Sequence, residues 1–356
     1  KLFGNMPRDP KKEEITQFHM DIASSIQLVT EEIMLTITNA LANEYNIENL
    51  CLAGGVALNC VANGKILKNG KFQNIWIQPA AGDAGGSLGA ALGLWHIELK
   101  KNRTIDSKDS MMGSYLGPEY SHSEIEKKLK EIGAIFDLLD DEQLIEKTAL
   151  ELSNGKAVGW FQGRMEFGPR ALGCRSILGD PRSANMQKNL NLKVKYRESF
   201  RPFAPSVLRE DVSDWFDIDQ DSPYMLLVAN VKNDKTIEMN ENEKRLFGID
   251  KLNIKRSKIP AVTHVDYSAR IQTVHKETNL QYHDLINKFK EITGCPVLVN
   301  TSFNVRGEPI VNTPEDAFNC FMGTELDNLI IGNCYLNKES QDKSLKKDYK
   351  IKYESN

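Results

Sequence analysis

Two short apolar runs that end in glycine limit this fold more than any other feature of the chain. Leu50 to Ala53 runs straight into Gly54-Gly55, and Ile75 to Gln78 passes through Pro79 into GDAGG, Gly82 to Gly86. Each run has strand length and leads into helix-forming sequence. The spacing therefore predicts strand, glycine loop and helix twice over, with helices starting near Ala57 and near Ala84. A helix start reached through glycine offers free N–H groups to an anion. Two such loops in one small region suggest a nucleotide held between them; glycines that serve only tight turns are the plain alternative. Asp83 stands inside the second loop, where a carboxylate would repel phosphate unless it held a metal ion or a hydroxyl. Capping of the following helix explains the same residue equally well.

The stretch from Gly163 to Val207 adds a charge signal. Arg164, Arg170, Arg175, Arg182, Lys195, Arg197 and Arg201 lie there beside Gly and Pro rather than at helical spacing among acids. Guanidinium groups and turn-exposed N–H groups together hold phosphate or carboxylate. Gly168-Pro169 pre-sets the backbone of Arg170, and Lys195 and Arg201 flank a short turn from which they can converge on one phosphate. Lys188 and Lys193 read as solvated surface charges. In HVDYSAR, Arg270 is expected near a strand edge or bend, with His264 and Asp266 on one face. A buried structural histidine suits His264 at least as well as a general base does. After a strand at Val297–Asn300, the short polar side chains of Thr301, Ser302 and Asn304 suit a phosphate or a carboxamide.

A length of 356 residues implies two or more domains. The front reads as α/β, opened by a helix over 14–46 whose stripe is Ile22, Ile26, Val29, Ile33, Ile37 and Leu41. Residues 101–114 are polar and aperiodic, so the organisation expected is a front lobe over 1–103, a linker over 104–114, an α+β domain over 115–336 and a solvated tail over 337–356. Within the rear domain, helices are expected near 122–132, 141–153, 282–293 and 313–323, and strands at 157–161, 204–208, 225–231, 261–265 and 297–300. The net charge of −4 argues against a nucleic-acid grip, and no apolar run reaches the ~20 residues of a membrane span. Six scattered cysteines in apolar or glycine-rich settings read as buried free thiols of a cytoplasmic protein. The chain opens at Lys1 in a polar loop, which reads as a portion of something longer.

Six strings in fixed order carry a resemblance: CLAGGVALNCVANGKI, PAAGDAGGSLGAAL, GRMEFGPRALGCRSILGDPR, VKYRESFRPFAPSV, THVDYSARIQTV and LVNTSFNVRGEPIVNTPEDA, spanning Leu50 to Ala317. The chain resembles the O-carbamoyltransferases of antibiotic and nodulation-factor biosynthesis, the NodU and TobZ type. The resemblance implies a partial actin-like (ASKHA-type) α/β lobe followed by a YrdC-like α/β domain. It implies that the rear domain makes carbamoyl-adenylate from carbamoyl phosphate and ATP with Mg. The front domain would then pass the carbamoyl group to a hydroxyl of a small-molecule acceptor, assisted by Fe(II). Carried onto this sequence, Arg170, Lys195, Arg201, Arg270, Asn300 and Ser302 hold carbamoyl phosphate and adenylate, and Arg170, Lys195 and Arg201 act on the reacting groups. Gly54, Gly55 and Asn59 match the family's adenylate-binding loop, and Asp83 its metal-ligand aspartate.

The family's upstream H-x-x-x-H pair has no counterpart here. The iron site is therefore expected to be incomplete, and the chain to retain adenylate synthesis while lacking acceptor transfer. The open face of a halved front lobe is a candidate for self-association. Two other readings remain: a threonylcarbamoyl-adenylate synthase-like enzyme of tRNA modification, whose family lacks the GPRALG and RPFAPSV strings, and a non-enzymatic nucleotide-binding scaffold.

Overall fold

A computed structural model describes residues 3–4, 6–9, 12–105, 109–246, 248–252, 254–346 and 349. The chain divides into two compact units, Lys1–Cys51 with Val61–Trp76, and Leu52–Cys60 with Ile77–Asn356. This division places both glycine loops in the larger unit, with the cationic segment, rather than behind a boundary at 104–114.

The smaller unit is built on α1 (Gln17–Tyr45) and α2 (Cys60–Asn69); β1 (Asn49–Leu52) and β2 (Asn74–Ile77) form a two-stranded sheet at its border. The Thr16 N–H donates to His19 Nδ1 at 3.1 Å to open α1, and Asn46 in the left-handed region (φ 50°) closes it. The apolar stripe that predicts this helix does not form a core. Ile26, Val29, Ile33, Ile37 and Leu41 are exposed, whereas Glu31 and Thr38 are buried. Lys65 of α2 pairs with Glu31, and Asn69 Nδ2 donates to Asn39 Oδ1 at 2.6 Å. Within this unit α1 therefore meets α2 through polar side chains, leaving an uncovered apolar face.

The larger unit continues with α3 (Ala84–Gly93), α4 (His122–Glu131), β3 (Asp137–Leu138), α5 (Asp141–Ser153), β4 (Val158–Phe161), β5 (Arg175–Gly179), α6 (Met186–Asn189), β6 (Ala204–Leu208), α7 (Val212–Trp215), β7 (Leu227–Asn230), α8 (Glu241–Lys244), α9 (Gly248–Leu252), β8 (Ser268–Val274), α10 (Leu280–Thr293), β9 (Val297–Ser302), α11 (Pro314–Gly323), β10 (Asn328–Ile331) and β11 (Cys334–Asn337). Among the described residues, nine strands form one mixed sheet in the order β3-β11-β10-β4-β5-β9-β6-β8-β7. Its central strands are buried along their length, and Trp160, Ile177, Leu178, Val297 to Val299 and Leu329 to Ile331 lie in one core. α5 packs on α10, and α11 touches α4, β4 and β10. The helix starts follow capping chemistry. Asp140 accepts from the Gln143 N–H at 2.8 Å, and the Thr313 hydroxyl accepts from the Asp316 N–H at 3.1 Å while Asp316 accepts from Thr313 N–H at 2.9 Å.

Several expectations change. Residues 261–265 are not a strand; Pro260–Val262 form a 3₁₀ turn. Arg270 lies inside β8, opposite Val228 of β7, two residues before the β6 ladder begins at Gln272. Of the expected linker, 106–108 fall outside the described residues. Within the remainder Asp109 and Ser114 dock: Tyr224 donates to Asp109, and the Ser114 hydroxyl donates to Phe167 O at 2.6 Å. The expected tail starts inside β11. Gln341 is buried and bonds Ile135 through both its N–H and C=O, and Tyr349 packs in the core. Residues 347, 348 and 350–356 lie outside the described set. All six cysteines are free; Cys51 is exposed and Cys60 half-buried, so only four match the buried reading.

Candidate functional site

The sheet fixes the floor of the site. Successive side chains of a strand alternate between faces, so Arg270 and Gln272 of β8 share one face, as do Asn300 and Ser302 of β9. Ser206 lies opposite Gln272, Ala204 opposite Asn300 and Ser176 opposite Ser302, which puts these polar groups on that same face. Asn300, 1% exposed, donates from Nδ2 to Gln272 Oε1 (2.9 Å), Ser206 Oγ (3.1 Å) and Ala171 O (3.3 Å). The Ser206 hydroxyl donates to Gln272 Oε1 at 2.6 Å, and Gln272 Nε2 donates to Leu172 O at 2.7 Å. The Asn300 carbonyl oxygen is buried without a partner among the described residues. Such an oxygen costs stability unless a donor reaches it.

The GPRALG loop is held over this floor by a residue the sequence reading passed over. Glu166 is 6% exposed, and its Oε1 accepts from the N–H groups of Leu172 (2.6 Å), Cys174 (2.8 Å) and Arg175 (3.3 Å). Arg175 is wholly buried; its guanidinium donates to Gln162 O (2.8 Å), Gly163 O (3.2 Å) and Pro118 O (3.3 Å) and stacks 3.5 Å over Phe161. Arg175 is thus part of the scaffold. Arg182 forks onto Asp180 (2.7 and 2.9 Å) and Arg164 pairs with Glu119 at 3.4 Å, so these two are engaged as well. Gly168, at φ 144°, lets the loop approach the second glycine loop: a Cβ there would lie 3.0 Å from Pro79 O.

Arg170 and Arg270 differ from these. Each has a buried Nε without a partner, as Arg175 also has, but neither guanidinium is tied down by a carbonyl or a carboxylate among the described residues. Burial lowers the pKa of Arg170, against a smaller opposing influence of Cys60. Arg270 is pushed down to about 10 by burial and then by the Arg170 charge. Two guanidinium groups close enough to repel, and largely out of water, call for an anion.

Lys195 and Ser302 meet directly. Lys195, 3% exposed, donates from Nζ to Ser302 O, to Ser302 Oγ (3.1 Å), and to Asn304 O (2.9 Å) and Oδ1 (2.8 Å). Burial, then the Arg197 charge, push Lys195 down to about 7, although four accepting oxygens favour its charged form. Arg201 is exposed and pairs with Glu198 at 3.0 Å, so Lys195 and Arg201 share no common partner in this structure.

The lowered Lys195 value has a sign that can be checked. Folded Lys195 loses its proton above about pH 7, whereas in the unfolded chain it keeps it to ~10.4. Between those values unfolding takes up a proton, so this group's contribution to stability rises with pH. The urea midpoint of wild type relative to Lys195→Met is expected to climb from pH 7 to pH 9; a difference independent of pH contradicts a neutral buried amine.

In the first glycine loop Gly54 (φ 94°) donates its N–H to Ala81 O at 2.9 Å, Gly54 and Gly55 are exposed, and the Asn59 N–H closes the 3₁₀ turn on Val56 O. Asp83 is exposed and does not cap α3 through its side chain. Among the described residues no three His, Cys, Asp or Glu side chains converge to hold a metal ion. One carboxylate does not make an iron site. His264 contacts Ser268 Oγ through Nδ1 at 3.1 Å, and Ser268 donates to Asp266 at 2.6 Å; burial lowers the histidine's pKa. A cleft of about 1130 Å³ lies elsewhere, lined by Glu119, Asp141, Glu142, Glu146, Asp284 and Glu291 among others. Its carboxylates disfavour an anion, so its size does not make it the anion site.

Comparison with known proteins identifies the family. A family model described as Carbamoyltransferase C-terminus matches residues 149–338, and one described as Carbamoyltransferase N-terminus matches residues 2–92. Uncharacterized protein sll1178 of Synechocystis sp. is 59% identical over 96% of this chain and 55% of its own length. Nodulation protein NolO of Bradyrhizobium diazoefficiens is 39% identical over 93% of this chain and 57% of its own. The 3'-hydroxymethylcephem-O-carbamoyltransferase of Streptomyces clavuligerus is 30% identical over 86% of this chain and 52% of its own. The chain thus spans about half the length of the curated relatives it matches. With the C-terminal model covering more than half of its residues and the N-terminal model most of the rest of its front, the chain belongs to the carbamoyltransferase family.

Proposed function

We propose that this chain forms carbamoyl-adenylate from carbamoyl phosphate and ATP, the first half of a carbamoyl transfer to a hydroxyl group. The observation that carries this reading is the pair Arg170 and Arg270, largely buried and without a carboxylate, beside the unfilled carbonyl oxygen of Asn300. The guanidiniums suit phosphoryl oxygens, and the Asn300 oxygen suits the N–H of a carbamoyl group. Water takes the phosphoryl group of carbamoyl phosphate, which leaves as phosphate. The freed carbamate oxygen bonds to the α-phosphorus of ATP, and pyrophosphate departs. Charge grows on phosphoryl oxygens during the attack, so cations fixed beforehand lower the barrier. Mg bound to ATP would neutralise further charge. Lys195 reaches this floor through Ser302, where it orients the polar end of β9.

The glycine loops at Gly54–Gly55 and Gly82–Gly86 belong to the same compact unit and support a nucleotide-sized ligand. The second half-reaction, delivery to a small-molecule hydroxyl, is the finer part of the proposal; the name of the cephem relative specifies such an acceptor. No step is assigned to a metal ion of the protein. Carbamoyl-phosphate-dependent exchange of labelled pyrophosphate into ATP tests the first half-reaction. Exchange is expected with carbamoyl phosphate and none without it; folded protein that exchanges equally in its absence, or not at all, contradicts the proposal.

A further inference from the structure

The THVDYSAR segment carries a histidine that the adenylate reading leaves without a role, and its turn folds that histidine back onto the floor of the site. His264 N–H donates to Ser268 O at 2.8 Å, and Tyr267 N–H donates to His264 O at 3.1 Å, with Tyr267 in the left-handed region (φ 65°). A non-glycine residue held there costs energy, and such positions gather at functional sites. Alternation along β8 puts Ser268, Arg270 and Gln272 on one face, so the imidazole that meets Ser268 stands at the end of the row that includes Arg270. The bonds around Ser268 set the tautomer. The Ser268 hydroxyl donates to Asp266 Oδ1 at 2.6 Å, and the Ser268 N–H donates to the same oxygen at 3.1 Å. Ser268 Oγ is then the acceptor for His264 Nδ1 at 3.1 Å, so Nδ1 carries the hydrogen. Nε2 is left as the basic nitrogen, without a hydrogen-bond partner among the described residues. The charged groups around the ring are Asp266 on its own turn, Arg270 of β8, and Arg256, whose guanidinium donates to Thr263 O at 3.2 Å. Burial lowers the pKa of His264, Asp266 opposes this, and Arg270 and Arg256 lower it further, so the ring is neutral at neutral pH.

A neutral imidazole with a fixed Nδ1–H and a free Nε2, set beside an arginine that calls for an anion, is arranged to take a proton from a nucleophile. We propose that His264 is the general base for the water that attacks carbamoyl phosphate, whose phosphoryl group is held at Arg270. This rests on the carbamoyl-adenylate reading above. The water oxygen bonds to phosphorus as the bond from phosphorus to the carbamoyl oxygen breaks. One water proton passes to Nε2 and the other stays on phosphate. The electron pair of the broken bond leaves with carbamate. Asp266, acting through the Ser268 hydroxyl, stabilises the imidazolium that forms. The later attack of carbamate on ATP needs no base, because carbamate reacts as an anion, so His264 serves the first step alone.

Two assays on one preparation of the full chain separate the steps. Phosphate release from carbamoyl phosphate with ATP present reads the first; pyrophosphate exchange driven by ammonium carbamate bypasses it and reads the second. His264→Asn keeps a donor to Ser268 at the Nδ1 position and removes the base. It is expected to lower kcat for phosphate release about 10²-fold or more with little change in KM for carbamoyl phosphate, and to exchange with carbamate as wild type does. Wild-type kcat is expected to fall on acidification below the usual histidine value of about 6.5, as Nε2 takes a proton, and the variant is expected to lack that fall. Phosphate release at the wild-type rate in His264→Asn overturns the proposal. So does carbamate-driven exchange that drops by the same factor as phosphate release, the mark of a structural role. Ser268→Ala removes the hydroxyl that sets the tautomer and serves where the asparagine variant does not fold. It is expected to slow phosphate release and not carbamate-driven exchange; unchanged release overturns the role. Wild type that exchanges with neither carbamoyl phosphate nor carbamate overturns the carbamoyl-adenylate reading and this role with it. Wild type that exchanges with both, beside a His264→Asn variant that releases phosphate normally, overturns the role of His264 alone.

Discussion

Arg270→Met is expected to make the ligand-free chain more stable and to remove nearly all exchange activity. Arg270 sits in the interior strand β8, its Nε is buried without a partner, and Arg170 and Arg197 both repel it. An apolar side chain of similar length relieves the desolvation penalty of an uncompensated buried charge, on the order of several kcal/mol per ion. The same change takes a fixed cation away from the oxygens on which charge develops. Loss of one such pre-placed group lowers turnover about 10²–10³-fold. The two effects have opposite signs, and this separates the reading from a structural one: an arginine that served the fold would lose stability and activity together. Urea unfolding and pyrophosphate exchange on the same preparation measure both.

Glu166→Ala is the change expected to damage the fold most. Its Oε1 serves three buried N–H groups at the bend from GPRALG into β5. Each buried donor left without an acceptor costs about 1–3 kcal/mol, so the alanine variant should lose at least about 3 kcal/mol. Arg175, whose charge Glu166 favours, would also lose a buried counter-charge. Because the bend carries Arg170 and presents Ala171 O to Asn300, phosphate affinity should fall with stability. Glu166→Gln keeps an acceptor for the three N–H groups and is expected to unfold nearer to wild type. Equal unfolding midpoints for the alanine variant and wild type contradict the bracing role.

Which parts could be read from the sequence follows from the range of the forces involved. Local chemistry was legible. Asp140 with Gln143 and Thr313 with Asp316 cap α5 and α11, and the two apolar runs before glycine became β1 and β2. Strands β5, β10 and β11 were not foreseen. They are short and buried along all or nearly all of their length, so they show no alternation, and β5 starts with an arginine. Arg175 looked like the other cations because its partners are carbonyls from Gln162, Gly163 and Pro118, which only folding brings together. Glu166 gave a faint signal: a lone acid in a cation-rich, glycine-rich stretch. The α1 stripe was legible as a helix signal, but periodicity reports a face and not what covers it, and that face is exposed. The candidate site divides similarly. Arg170, Arg270, Asn300, Lys195 and Ser302 fall on or beside one sheet face, whereas Arg201 is engaged by Glu198 and Asp83 stands exposed.

The carboxylate-free guanidiniums above β8 and β9 should surround the phosphoryl chemistry. Crystals of this chain grown with carbamoyl phosphate and a non-hydrolysable ATP analogue address it most directly. The expected density is a phosphoryl group within hydrogen-bond reach of Arg170 and Arg270, with a ligand N–H on the Asn300 carbonyl oxygen. A ligand ordered at another place, with Arg170 and Arg270 turned onto carboxylates of the protein, would contradict it.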